Sequence, residues 1–171
     1  MTPRPDPDFA RWAATARPRL RRTAFLLSGD WHLAEDLAQD ALLRVYAVWH
    51  RASASGAPDA YARATLVNAF RAGARRPWRR ERVVALVPER HDAAAADATA
   101  GLEERDALLV ALARLGPSQR AVVVLRYWED MSVASVADAL GLSEGTVKSQ
   151  AARGLDSLRR TLRTPSYEET R

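Results

Sequence analysis

Apolar residues recur at three- and four-residue steps along most of this 171-residue chain. The first repeat covers residues 9–28 and is followed by Gly29, a typical stop signal for a helix. A second repeat sets Leu33, Leu37, Ala41, Val45 and Trp49 in one row. This spacing gives a helix one apolar face, and no segment within residues 1–82 suggests a strand. The sequence therefore predicts an all-α fold.

The segment VVALVPERHDAAAADATAG, residues 83–101, divides the chain. Its first half is apolar and contains a proline, and its second half is an Ala/Asp tract without amphipathic period. We interpret it as a flexible linker between two small helical domains, at residues 9–82 and 102–163.

Three helices are expected before the linker and four after it. In the first half, two helices cover residues 9–28 and 32–50, and a loop follows at RASASGAPD, residues 51–59. Asp59 caps the third helix. In the second half a helix starts at Leu102, and Ser118, Ser132 and Ser143 each cap a further one. The helix that Ser118 caps contains the Val122–Val124 run, which also suits a strand.

The composition argues against an enzyme and against a cofactor or metal site. The chain has no cysteine, which excludes disulfides and Cys-ligated metals, and its 3 histidines have no ligand-spaced partner. Nucleophile–base pairs and Gly-rich phosphate loops are also not seen. The N-terminal MTPRPDPDF has no signal-peptide pattern, and the apolar stretches are too short to span a bilayer. We expect a cytoplasmic protein without membrane insertion.

Positive charge is concentrated in two places. Residues 1–82 carry 15 basic and 8 acidic residues, and residues 145–171 carry 6 and 3. Two separated basic patches indicate two contacts with one polyanion.

The strongest local motif is SVASVADALGLSEGTVKSQAARGLDSLRR, which begins at Ser132. A short helix, a tight turn at Gly141 and a longer basic helix predict a helix-turn-helix, whose second helix enters a DNA major groove. Any amphipathic helical hairpin that ends in arginines could look similar. The combination of Gly141, Ser143, Thr146 and Lys148 favours DNA binding.

Two further features have a functional and a plain interpretation. The cluster FRAGARRPWRRER, residues 70–82, suits single-stranded nucleic acid because arginines hold the backbone and Trp78 can stack on a base, although a solvated helix end fits equally well. Glu35, Asp36, Gln39 and Asp40 form an acidic face, for which solvation is the simpler explanation.

Together these segments resemble a known family. Four segments follow one another along the chain: AEDLAQDALLRVY, a basic helix that contains VNAFRAGARR, a linker, and LGLSEGTVKSQAARGLDSLR. In this order they are similar to the extracytoplasmic-function (ECF) sigma factors of bacterial RNA polymerase. The stretch AFLLSGDWHLAEDLAQDALLRVYAVW is similar to the actinobacterial branch, and the resemblance covers about residues 9–163. It implies a transcription initiation factor that binds core RNA polymerase and promoter DNA, with an anti-sigma factor as a further partner.

The resemblance also implies roles for individual residues. AEDLAQDALLRVY resembles region 2.2, whose polymerase-docking positions correspond to Asp36, Gln39 and Asp40. TLVNAFRAGARRPW resembles regions 2.3 and 2.4, which bind the melted nontemplate strand at the minus-10 element, and its matching residues are Asn68, Arg71, Arg75 and Arg76. The loop 51–58 would help to hold a flipped base. The helix-turn-helix resembles region 4.2, which reads the minus-35 duplex through Thr146, Lys148, Ser149, Ala152 and Arg153.

The alternative is a stand-alone helix-turn-helix regulator, which would need a phosphoacceptor or ligand pocket within residues 1–82. Neither is evident in the sequence. A helical adaptor that binds no nucleic acid is disfavoured by the charge of the last helix.

Overall fold

The computed structural model describes residues 6–74 and 99–163, with side chains from residue 104 in the second stretch. These residues are helical, without strands, and the predicted all-α class is confirmed. The helices are α1 (Pro7–Ser28), α2 (Trp31–Ala47), α3 (Trp49–Ala54), α4 (Pro58–Ala74), α5 (Thr99–Ala113), α6 (Pro117–Val123) with a π-helical turn (Val124–Trp128), α7 (Val133–Leu140) and α8 (Glu144–Arg163). Most of the predicted linker 83–101 lies outside the described residues, and α5 begins within its last three positions.

The first half is a bundle of α1, α2 and α4, with the short α3 at one end. Asp6 caps α1 by accepting from the Asp8 amide, and Gly29 ends the helix in the left-handed conformation. The core contains fully buried side chains from all three long helices, among them Leu27, Val45 and Leu66. The predicted apolar stripes of residues 9–28 and 32–50 therefore face the core, as expected.

The predicted end of the second helix and the predicted loop differ from the structure. Helix α2 ends at Ala47, and α3 occupies part of the segment 51–59 that was expected to be a loop. Asp59 lies in the first turn of α4 and does not cap it. Its carboxylate instead accepts a hydrogen bond from Trp12 Nε1 at 3.2 Å and pairs with Arg19 at 3.0 Å. The cap prediction was wrong because a tertiary contact to α1 uses this side chain.

The second half packs α5, α6 and α7 against the long α8. Helix α6 starts at Pro117, after Gly116, and no side chain caps it, so the prediction of Ser118 as a cap was wrong. The Val122–Val124 run is helical and buried, which rules out the strand alternative. The apolar face of α8 consists of Val147, Ala151, Gly154 and Leu158.

Helices α1 and α4 of the first half contact the second half. Helix α4 packs against α6 and α7, and α1 packs against α5, α6 and the π-helical turn. Arg120 of α6 lies in this contact and is only 4% exposed. Burial lowers the pKa of Arg120 to about 10, and the guanidinium remains protonated at neutral pH. Within the described ranges, no helix is both long and apolar enough to cross a membrane.

Candidate nucleic-acid interface

The turn between α7 and α8 has the local geometry that the sequence predicts. The Ser132 hydroxyl accepts from the Ser135 amide at 3.0 Å and caps α7. Gly141 follows α7 at φ 63°, where a side chain would be strained, and the Leu142 amide donates to the Ala137 carbonyl at 3.0 Å. The predicted cap of Ser132 and the stop at Gly141 are confirmed.

Helix α8 begins directly after this turn. The Ser143 hydroxyl accepts from the Thr146 amide at 3.1 Å, which confirms the predicted cap. Leu140 and Val147 are buried on either side of the turn and belong to the same hydrophobic core. The helix-turn-helix is therefore built from local caps and buried apolar side chains.

One face of α8 is exposed along its first three turns. Lys148, Ser149, Ala152 and Arg153 are exposed, and Thr146 is half-buried beside Ser143. Lys148 lies 4.0 Å from Glu144 within the helix, and the Ser149 hydroxyl donates to the Thr146 carbonyl. The five residues predicted to read DNA thus lie on one helix and along its solvent side. They offer a cation, a guanidinium, two hydroxyls and a methyl group to a groove.

Of the predicted strand-binding residues, the structure describes Asn68 and Arg71. Both lie on α4, and Arg71 Nη1 is 3.3 Å from the Asn68 side-chain oxygen. Each also donates across to the second half: Asn68 Nδ2 to the Ala139 carbonyl and Arg71 Nη1 to the Leu140 carbonyl, both at 2.9 Å. Arg75, Arg76 and Trp78 lie outside the described residues. The first half of the predicted base pocket, residues 51–54, lies on α3, and α4 begins at its last residue, Pro58.

The acidic face of α2 divides into two parts. Glu35 accepts hydrogen bonds from Arg17 and pairs with Arg21 at 3.1 Å, so it ties α2 to α1. The hydrogen bond from Arg17 is the main cause of the lowered pKa of Glu35. Asp36 and Gln39 are exposed, and Asp40 pairs with Arg44 one turn away at 3.0 Å.

An exposed leucine lies on the same face and was not predicted from the sequence. Leu43 is 60% exposed and follows Asp36, Gln39 and Asp40 at positions that share one side of α2. In the sequence, Leu43 is the second leucine of ALLRVY and lies outside the apolar stripe of this helix, which is the pattern that could have revealed its exposure. Single exposed apolar side chains are common on protein surfaces, so Leu43 alone does not distinguish a docking surface from a solvated face.

Comparison with known proteins gives the family. Residues 12–80 match Sigma-70 region 2, and residues 105–158 match Sigma-70 region 4. RNA polymerase sigma-E factor of Streptomyces avermitilis is 40% identical over 157 residues, which are 91% of this chain and 85% of that protein. ECF RNA polymerase sigma factor SigL of Mycobacterium tuberculosis is 34% identical over 148 residues, which are 84% of this chain and 82% of that protein. The chain belongs to the ECF sigma factors of the sigma-70 family.

A solved structure agrees with this assignment. Sigma factor RpoE in complex with the anti-sigma factor NepR, from Bartonella quintana, superposes with a TM-score of 0.71 at 25% identity. The match covers 92% of this chain and 98% of that one. The protein is accordingly a sigma factor that acts in transcription initiation, and the alternative of a stand-alone helix-turn-helix regulator is not favoured.

Proposed function

We propose that this ECF sigma factor contacts a promoter at two elements and core RNA polymerase at a third surface. Residues 9–82 would bind the polymerase and the minus-10 element, residues 83–101 would link the domains, and residues 102–163 would bind the minus-35 element. The observation that carries the proposal is the solvent-exposed polar face of α8 at the end of a capped helix-turn-helix.

At the minus-35 element, the N-terminal half of α8 would enter the major groove. Lys148 and Arg153 suit phosphates or guanine edges, while Thr146 and Ser149 suit either kind of contact. Ala152 offers only a methyl group, which suits a thymine methyl. Phosphate contacts would set register and affinity, and these few base contacts would set specificity.

At the minus-10 element, α4 and the arginines that follow it would hold the unpaired nontemplate strand. Asn68 can hydrogen-bond a base edge, and Arg71, Arg75 and Arg76 can follow the sugar–phosphate backbone. Holding an unpaired base offsets its unstacking, which costs about a few kcal/mol. Binding of the strand would thereby favour the melted promoter.

On the polymerase side, Asp36, Gln39 and Asp40 would form the docking face on α2. Leu43 is exposed on the same side of α2 and would add an apolar contact to this face.

The chain itself would carry out no catalysis, since nucleotide transfer belongs to the polymerase, and it would need no cofactor. The relatives are named as sigma factors, which supports this view and a cytoplasmic location beside the polymerase. An anti-sigma factor is a further proposed partner, because the similar RpoE was solved bound to one.

Paired substitutions test the assignment of surfaces. Arg153→Ala should weaken binding to upstream promoter duplex by about tenfold, within the range of about 1–3 kcal/mol for a single base or phosphate contact, and leave affinity for core polymerase unchanged. Asp36→Arg should reduce affinity for core polymerase and spare duplex binding. Run-off transcription on genomic promoter fragments and fluorescence anisotropy with purified core polymerase measure both effects.

Arg11→Ala and Asp106→Arg are the matched controls, since both residues are exposed and lie outside the three proposed surfaces. Equal loss of polymerase affinity in Arg153→Ala would refute the assignment of α8 to DNA. Normal polymerase binding by Asp36→Arg would refute the assignment of α2 to docking.

A further inference from the structure

A polar cavity lies between the end of α5 and the C-terminal half of α8. Its volume is about 240 Å³, and it is lined by Arg114, which directly follows α5, and by Ser157, Arg160 and Thr161 of α8. The three residues of α8 are three and four positions apart, so they share one side of the helix. All four lining side chains can donate hydrogen bonds, and two of them carry a positive charge. None of the four belongs to the three proposed surfaces.

The hydrophobic core of the second half anchors the backbone on both sides of this cavity. Leu115, the neighbour of Arg114, and Leu158, the neighbour of Ser157, are both buried. Helix α8 also comes close to this region at Gly154, where an added β-carbon would lie 3.9 Å from Leu115 Cδ1. Because buried neighbours fix both walls, the four polar side chains are kept near one another in the folded protein.

The donors in the cavity favour an anion that has several acceptor oxygens. Arg114 and Arg160 are exposed, so their guanidinium groups can reach a ligand from solvent, and Ser157 and Thr161 are half-buried. A guanidinium group binds a carboxylate or a phosphate through two parallel N–H donors. One guanidinium group is enough for the two oxygens of a carboxylate, whereas a terminal phosphate offers three strong acceptor oxygens. Two guanidinium groups and two hydroxyls therefore match a phosphate better than a carboxylate.

Charge and size narrow the kind of phosphate further. A phosphate monoester carries a charge of about −1.5 to −2 at pH 7, whereas each phosphodiester of DNA carries a single negative charge. Arg114 and Arg160 supply two positive charges, and the four described lining residues include no carboxylate. The cavity is smaller than the sites of about 300–1,000 Å³ that enclose a drug-sized ligand. It therefore suits one doubly charged phosphate group, with the rest of the ligand outside.

We propose that this cavity binds the terminal phosphate of a small phosphorylated molecule. Arg114 and Arg160 hold phosphate oxygens from the two walls, and the hydroxyls of Ser157 and Thr161 donate to those that remain. Such a ligand bridges the end of α5 and the C-terminal half of α8, so it binds the folded second half and stabilises it against unfolding. The site is independent of the proposed promoter contacts, which use the N-terminal half of α8.

Nuclear magnetic resonance of the full-length, ¹⁵N-labelled protein can locate a bound phosphate. Methyl phosphate is the probe, and it is titrated at pH 7 and constant ionic strength while the backbone amide signals are followed. The amides of Arg114, Ser157, Arg160 and Thr161 should shift along one saturable curve with a Kd of about 1 mM, as expected of a ligand with so few atoms. Shifts of these amides that grow without saturation, or the absence of shifts, would overturn the proposal.

Two cavity variants and two matched controls test the guanidinium groups. Arg114→Gln and Arg160→Gln should each weaken methyl phosphate binding by about tenfold, because each removes hydrogen bonds between charged partners. Arg105→Gln on α5 and Arg163→Gln on α8 remove the same charge at exposed positions outside the cavity lining, and they should leave the Kd within about twofold. If one cavity variant loses native helicity by circular dichroism, the other decides. Equal losses in the cavity variants and the controls would indicate attraction to a basic surface in general and would overturn the proposal.

Two further anions distinguish the possible sources of the bound group. Dimethyl phosphate has the single charge and the diester linkage of the DNA backbone, and acetate has the carboxylate of a protein side chain. Both should bind the parent protein at least about tenfold more weakly than methyl phosphate, because they offer fewer charged oxygens to the two arginines. Equal affinity for dimethyl phosphate would assign the cavity to a nucleic-acid backbone, and equal affinity for acetate would assign it to an acidic protein segment. Either result would overturn the proposal.

Discussion

At the scale of single residues, Glu35 and Asp36 are neighbours in the sequence whose carboxylates have different surroundings. Glu35 points to α1, where Arg17 and Arg21 hold it. Asp36 is exposed on a neighbouring part of the α2 surface. A helix turns by about 100° per residue, so adjacent acids of one charged run can serve the fold and a binding surface separately.

The Glu35 contact predicts a dependence of stability on pH. Since Arg17 holds the pKa of Glu35 below its ordinary value of 4.5, the stabilisation is present above pH 4.5 and is lost as the pH falls through the folded-state pKa. Glu35→Gln should therefore lower the melting temperature at pH 7 and make no difference in strong acid. The side chain is 32% exposed, and solvent screening limits the effect to about 1 kcal/mol or less.

Thermal unfolding followed by circular dichroism at several pH values and low salt measures the difference between the two proteins. Glu104→Gln, at an exposed position on α5, serves as the control. A difference that stays constant from pH 7 into strong acid would show that Glu35 stabilises the protein by something other than its charge.

At the scale of helices, the packing of α8 on α6 depends on one glycine. A β-carbon at Gly154 would lie 2.5 Å from Val123 Cγ2, and valine has little rotamer freedom in a helix. Gly154→Ala should lower the free energy of unfolding by about 1–2 kcal/mol, because overpacking outweighs the gain in helix propensity.

Gly145 is the matched control, since it lies in the same helix and its added β-carbon would meet only the Ser143 hydroxyl, at 3.9 Å. Gly145→Ala should raise the free energy of unfolding by up to about 1 kcal/mol. Urea denaturation of both variants measures these changes. Stabilisation by Gly154→Ala would mean that α6 and α8 are less closely packed than the structure has them.

The helices also show which features a sequence can reveal. Ser132, Gly141 and Ser143 act on amides and carbonyls within a few residues, and their roles were predicted correctly. Asp59 has the residue type of a cap but bonds Trp12, which is 47 positions away in sequence. Ser118 was displaced from the cap position by Pro117, which begins the helix. Hydrogen bonds between residues close in the sequence could thus be predicted, whereas contacts with residues far away in the sequence could not.

At the scale of the whole molecule, the contacts between the halves predict how the protein unfolds. Domains that share buried polar contacts should melt together, whereas separated domains melt independently. Differential scanning calorimetry should show a single transition for the parent protein and for Asp106→Arg. Glu129 accepts a hydrogen bond from Thr23 of α1 and lies 3.6 Å from Arg63 of α4. Glu129→Arg should therefore show two overlapping transitions, and two well-separated transitions in the parent would contradict a stable contact.

These contacts could not be predicted from the sequence. Arg71 and the Leu140 carbonyl are 69 positions apart, and Thr23 and Glu129 are 106 apart. No periodicity or motif connects such pairs. The all-α class and the family could be predicted because they depend on repeats and motifs within each half, but the use of Asn68 and Arg71 between the halves depends on how those halves meet.

The turn at Gly141 has a consequence for how this protein can evolve. The same turn joins α7 to α8 and leaves the Ala139 and Leu140 carbonyls where they accept hydrogen bonds from α4. A substitution that changes the turn therefore changes both the angle of α8 and the contact between the halves. Under the proposed function, a lineage that acquires new target promoters through this turn also alters how its two halves pack, and selection must act on the two traits as one.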